Sequence, residues 1–259
     1  IPDRTYHRIP EPDATYAFES NVPQPPSSAT VIINDFDRPD NFLSGSDVGA
    51  RLSAMWGGWD VTLNYLYQYD NEPVLYRTIT AGPGGTTITV NPTYERTHVI
   101  GGTFSNAFGD LTLRGEVAYK VGRHYSTTEV TDSDGVVESD EFGYVLGLDW
   151  FGFSETFLSL QFFQSILTDD ESGLLRDRVE NNLTFLVQRD FMNDRLTLST
   201  ILIQSLNHGD GIVRPSVEYE ARSNVHLTAG FDIFYGSSSG LFGQYTDATR
   251  VFAGVEIGF

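Results

Sequence analysis

The chain has 259 residues, 40% hydrophobic and 13% aromatic, with a formal charge of −19 and no cysteine. Disulfides and thiolate metal sites are therefore excluded, and nucleic acid is a poor partner without clustered Lys and Arg to neutralise phosphates. No run of ~18 apolar residues provides a transmembrane helix, and the opening IPDRTYHRIPEPD lacks the basic and apolar regions of a secretory signal.

From that opening, either a signal has been removed or the chain begins part-way through a longer product. The length suits one all-β domain. An aromatic load this high beside only two Met is usual where Tyr, Trp and Phe form belts at a bilayer interface.

Residues 1–45 hold Pro2, Pro10, Pro12, Pro23, Pro25, Pro26 and Pro39. Each proline lacks the donor a ladder needs, so an extended or plug-like arm is expected, with one short strand near 29–35. From residue 46 the pattern changes. Residues 59–69 read WDVTLNYLYQY, with Trp59, Val61, Leu63, Tyr65, Tyr67 and Tyr69 on one parity and Asp60, Thr62, Asn64 and Gln68 on the other. A period of two is a strand with one apolar and one polar face. In a soluble sandwich the apolar face meets a second sheet; in a membrane barrel it meets lipid and the polar face lines a lumen.

Turn spacing decides between them. Eleven strands are expected near 47–56, 59–69, 95–107, 111–122, 140–150, 155–165, 179–190, 196–205, 212–221, 225–235 and 248–259. Short turns alternate with long loops: Gly57-Gly58, Phe108-Gly109-Asp110, Phe151 to Ser154, Met192-Asn193-Asp194 and Arg222-Ser223-Asn224, against loops 70–94, 122–140, 165–179, 206–211 and 236–247. Outer-membrane barrels have short periplasmic turns and long extracellular loops. The expected fold is thus an all-β transmembrane antiparallel up-and-down β-barrel of 11–12 strands, over 46–259.

Charges lie mid-strand on the inferred polar faces: Arg51, Asp60, Arg114, Glu116, Lys120, Asp149, Arg214, Glu218, Glu220, Asp232, Arg250 and Glu256. A mid-plane Arg or Lys on a lipid face costs about 2–4 kcal/mol, so these are lumen-lining candidates. Their mixed signs suit interior ion-pair ladders in a small barrel, or a charged pore lining in a larger one. Trp56, Trp59, Phe108, Trp150, Phe151, Phe153 and Phe191 gather near the short turns, as a periplasmic aromatic belt would. The acids Asp132, Asp134, Glu138, Asp140, Glu141, Asp169, Asp170 and Glu171 read as solvated loops, with divalent-cation bridging to anionic lipid as the sharper reading.

The chain ends VFAGVEIGF, a period-two run closed by Phe259. That ending resembles the C-terminal signal of Gram-negative outer-membrane proteins, which implies the barrel-insertion machinery as a partner and the bacterial outer membrane as location. An odd strand count departs from the even number of closed bacterial barrels. It predicts an upstream portion, a second chain completing the barrel, or one more strand from 29–35.

Residues 39–75, PDNFLSGSDVGARLSAMWGGWDVTLNYLYQYDNEPVL, resemble a family of uncharacterised proteobacterial outer-membrane proteins known only as a domain of unknown function. The closing residues 194–259 look like that family's C-terminal end, and the matched positions include Gly49, Arg51, Pro73, Pro215, Gly230, Gly236 and Gly243. The resemblance implies that this chain is the C-terminal half of a longer protein. It also implies an envelope location and the handling of lipids or hydrophobic compounds, and it implies no catalytic residues.

Signals for chemistry are weak. The histidines are His7, His98, His124, His208 and His226; none has metal-ligand spacing, and no Gly-x-Ser-x-Gly elbow exists. His208 beside Asp210 in NHGDG reads as solvated turn residues, and the glycine-rich loop 236–245 as mobile or as a lumen constriction. No enzyme activity, cofactor or metal is expected. The expected function is a channel or conduit for small or hydrophobic solutes. The alternative is a scaffolding barrel that docks a partner in a surface or electron-transfer complex.

Overall fold

Gly57 and Gly58 both adopt positive φ, 58° and 85°, and pair Trp56 with Trp59 across a two-residue turn. That backbone is costly for any residue with a Cβ, which is why a Gly-Gly pair stands there. The computed structural model describes residues 28–37, 45–129, 131–169 and 172–258, and the strands follow from such turns.

In chain order they are β1 (Thr30–Ile33), β2 (Val48–Trp56), β3 (Trp59–Tyr69), β4 (Val74–Gly82), β5 (Gly85–Thr93), β6 (Arg96–Phe108) and β7 (Leu111–Ser126). Then follow β8 (Val136–Phe153), β9 (Thr156–Leu167), β10 (Val179–Phe191), β11 (Leu196–Ser205), β12 (Gly211–Arg222), β13 (Val225–Tyr235) and β14 (Arg250–Ile257). A short 3-10 helix, Gly243–Ala248, precedes β14.

Eleven strands form one antiparallel meander in the order β14-β13-β12-β11-β10-β9-β8-β7-β6-β3-β2. They are the eleven expected from the sequence, displaced by a few residues at their ends. The alternation of connections is also as expected, with every short turn at one end of the sheet and every long loop at the other. One turn is shifted: Phe151–Phe153 belong to β8, and the reversal is made at Ser154-Glu155, where Glu155 has φ 53°. Among the described residues no ladder joins β2 to β14, so the sheet is not a closed barrel.

The expected loop 70–94 is instead a hairpin. β4 and β5 pair antiparallel across Pro83-Gly84, and β1 adds to β5 in parallel, giving a separate three-stranded sheet. The prolines bounding this segment masked two period-two runs, VLYRTITAG and GTTITVNPT. The strand expected near 29–35 therefore exists but joins this small sheet rather than the meander. The remainder of the Pro-rich arm, 1–27 and 38–44, lies outside the described residues. The small sheet sits at the long-loop end of the meander, where Arg77 N–H donates to the Asp134 carbonyl and Arg77 Nη2 to the Glu129 carbonyl.

Register defines two faces of the meander. One carries an unbroken cross-strand row, Leu113, Leu148, Leu160, Phe185, Leu202, Val213 and Ile233, on seven successive strands. Among the described residues no second layer covers it. Leu52 is 70% and Leu63 58% exposed, and Val117, Leu148, Leu160, Phe231 and Val251 are exposed too. Among the described residues the buried side chains are mostly polar: Thr62, Thr97, Thr127, Ser139, Glu141, Ser159, Ser205, Asp210 and Asp232, against Val74, Pro92, Tyr94, Leu167 and Ile212 among the apolar ones. Burial is thus inverted relative to a water-soluble fold, in which apolar side chains occupy the interior.

Candidate functional site

The polar face holds most of the charged residues singled out from the sequence, in groups. Near the short turns Arg114 Nε donates to Asp149 Oδ2 at 2.8 Å and its Nη2 to Ser159 Oγ at 3.4 Å. Beside this pair Arg51, Asp60 and Glu116 line an open cleft of about 230 Å³. On the last three strands Asp232, 2% exposed, accepts from Arg214 Nε at 2.7 Å and Arg250 Nε at 2.8 Å. Such rungs follow from register: each charge lies within reach of one on the neighbouring strand of the same face. His226 Nδ1 lies 3.1 Å from Glu218 Oε1, with Glu256 its register partner on β14. Glu220 is also opposite His226, and its carbonyl accepts from Arg195.

The densest cluster is at the long-loop end. Glu141, 6% exposed, accepts at Oε2 from Arg123 Nη1 at 2.6 Å, Tyr125 hydroxyl at 2.9 Å and Lys120 Nζ at 3.3 Å, and at Oε1 from Ser165 Oγ at 2.5 Å. Arg123 Nε donates to Asp70 Oδ2 at 2.6 Å, and its Nη2 lies 3.5 Å from Glu72 Oε2. Arg176 joins Glu141 at 3.6 Å and Glu180 at 3.0 Å. Both guanidinium groups lie over the Tyr125 ring, at 5.3 and 5.6 Å from its centroid. All of these except Lys120 border a cavity of about 460 Å³ that His124 also lines.

Of this cluster only Lys120 was a lumen candidate from sequence. Glu141 was read as a loop acid within the run ESDE, and Arg123 fell in the expected loop 122–140 because a bulge after Lys120 breaks the strand's parity. The signal available was parity counted backward from Trp150: Glu141 shares the phase of Asp149.

One loop differs from its sequence reading. Asp210 is fully buried rather than solvated, and its Oδ2 accepts the N–H groups of Phe242 at 2.6 Å and Gly243 at 3.1 Å. It thereby ties the glycine-rich loop 236–243 to the β11–β12 connection at the long-loop end. His208 lies 3.9 Å from Asp177 Oδ2, a surface pairing. The Asp132 carboxylate accepts the N–H groups of Gly135 and Asp134 in a tight turn, which holds its pKa below the usual carboxylate range.

The aromatics near the short turns sit as a fringe on the sheet's end. Trp59 packs edge-on against Phe108, Trp150 against Phe153, and Phe151 stacks on Phe157, while Trp56 is 84% exposed. Phe191 lies beneath Arg189. A second fringe, missed from the sequence, bounds the apolar face at its other end. There His98 stacks on Tyr67 and meets the Tyr65 hydroxyl at 2.9 Å, and Arg96 lies over Tyr67 and Tyr69. Phe259 lies outside the described residues, and so does His7. Among the described residues no group of three or more His, Asp or Glu is placed to hold a metal ion.

No curated protein matches this chain. A family model described as "Protein of unknown function (DUF1302)" matches residues 7–171, which hold the first quoted stretch, the Arg114–Asp149 pair and the Glu141 cluster except Arg176 and Glu180; the closing stretch lies beyond the match. That match covers more than half of the sequence, and the chain belongs to the DUF1302 family.

Proposed function

We propose that this protein is a β-barrel of the Gram-negative outer membrane, with its apolar face against lipid and its polar face along a water-filled conduit for small or hydrophobic solutes. The inverted burial carries this reading: among the described residues, apolar rows with no covering layer on one face, buried ion pairs on the other. Hydrocarbon stabilises the first and water the second. The two fringes support it. From Trp59 to Tyr67 is eight residues of β3, about 26 Å along the strand and ~20 Å along the axis at a ~40° tilt, near the ~25 Å apolar band of such barrels. An apolar cleft of about 170 Å³ between the small sheet and the long loops, lined by Leu75, Ile79, Ile88 and Leu175, suits hydrophobic solutes at the mouth.

The outer strands β2 and β14 are ten antiparallel steps apart, so they point the same way. Antiparallel closure between them therefore takes a further strand-bearing segment, from this protein or another chain. Leaving either edge unpaired in hydrocarbon costs several kcal/mol per backbone group. Transport is passive in this reading: the polar face lowers the desolvation cost that bars polar solutes from lipid. These edges are also what favours the second reading, a scaffolding barrel that grips a partner. Reconstitution into planar bilayers separates the two. Stepwise ion conductance is expected of a conduit, and folded, inserted protein without conductance overturns it in favour of scaffolding.

A further inference from the structure

We infer that the charged cluster around Glu141 is the constriction of this conduit and that it passes cations in preference to anions; the inference rests on the conduit reading above. Three connections converge on the polar face here. Asp70 and Glu72 come from the segment after β3, and Arg176 from the loop before β10. The β7–β8 loop is tied over them by Thr128 N–H donating to the Gly173 carbonyl at 2.7 Å and by the bridge between Thr127 and Leu174. The loops thus narrow the polar face at Glu141 and leave the cavity of about 460 Å³. A constriction built from paired charges keeps its shape, because each charge is held by partners rather than free to swing.

The sign of the selectivity follows from the pairing. Arg123 faces Asp70, Glu72 and Glu141, and Arg176 faces Glu141 and Glu180, so each guanidinium is matched by at least two carboxylates. With Lys120 also on Glu141, three cations stand among four carboxylates. The surplus is the accessible part: the Glu72 side chain is 74% and the Glu180 side chain 38% exposed, while Arg123 and Arg176 are mostly covered. A solute in the cavity meets carboxylate oxygens before it meets guanidinium groups, which favours potassium, amines and other small cations.

The test is the reversal potential of the natural protein, reconstituted together with the segment that closes its outer strands, across a potassium chloride gradient. A potassium-to-chloride permeability ratio above one is expected for the natural protein. Glu72→Gln with Glu180→Gln lowers it, by about four-fold for each charge removed, because Coulomb's law at ~10 Å in water shifts potassium and chloride by about two-fold each in opposite directions. Lys120→Gln raises it. Damage to folding would move all variants alike, so opposite shifts are the signature of selectivity. An unchanged ratio in conducting Glu72→Gln/Glu180→Gln channels, or a natural ratio below one, overturns the inference and leaves the conduit standing. Loss of all conductance in the natural protein overturns the conduit itself.

Discussion

Leu160→Arg tests the assignment of the apolar face to lipid. Leu160 sits between Leu148 and Phe185 in the longest apolar row, and it is 43% exposed. It is four residues from Thr156 at the short-turn end of β9, about 13 Å along the strand and ~10 Å along the axis at a ~40° tilt, within a few Å of the middle of a ~25 Å band. In hydrocarbon at that depth arginine costs about 2–4 kcal/mol. On a sheet facing water, the same substitution of a half-exposed leucine stays within about 0.5 kcal/mol. Thr228→Arg is the matched control, on the polar face opposite Glu218 and Gly254, where added positive charge is hydrated or paired. Denaturant titration in phospholipid vesicles, followed by the fluorescence of Trp56, Trp59 and Trp150, reads both. A loss of about 2–4 kcal/mol for Leu160→Arg beside a near-neutral Thr228→Arg is the expected pair. Equal effects would refute the assignment of these faces.

Further outcomes follow from single contacts. Asp210→Ala leaves the Phe242 and Gly243 N–H groups without their acceptor, a local loss of about 1–3 kcal/mol; chymotrypsin should then cut at Phe242 or Tyr245 about ten- to a hundred-fold faster, and unchanged cleavage would count against the tether. Asp232→Asn removes the charge shared by Arg214 and Arg250 and should lower stability by about 1–3 kcal/mol in a denaturant titration, while Asp232→Glu recovers part of it. In the small sheet, burial first and the hydrogen bond to Glu95 second raise the Tyr76 pKa above its ordinary 10.0. A phenol raised in the folded state stabilises fully below its unfolded pKa and loses that contribution as pH rises above it. Hydrogen exchange of β4 and β5 should therefore accelerate above pH ~10 in the natural protein, and Tyr76→Phe should flatten that rise; parallel profiles would exclude Tyr76 as the cause.

Much of the meander was legible in the sequence because a half-covered strand writes its two faces as alternate residues. Val61, Leu63 and Tyr65 against Asp60, Thr62 and Asn64 define β3 without any partner. Short turns were legible for the same local reason, since Gly57, Gly58 and Gly109 supply backbone that other residues adopt only at a cost. The ladder pairs Arg114–Asp149 and Arg214–Asp232–Arg250 were present as parity, although which charge meets which depends on register, a property of two strands at once.

Sequence by itself thus determined the alternation of faces, the rhythm of turns and loops and the polar character of one side. Tertiary structure alone decided the rest. It folded residues 74–93 into a separate sheet with β1, buried Asp210 beneath a glycine-rich loop and gathered Asp70, Arg123, Glu141 and Arg176 from four connections or strands into one cluster. The physical reason is range: periodicity and turn chemistry act between residues a few positions apart, whereas these contacts join groups tens of residues apart, whose meeting depends on how loops close over a sheet already formed.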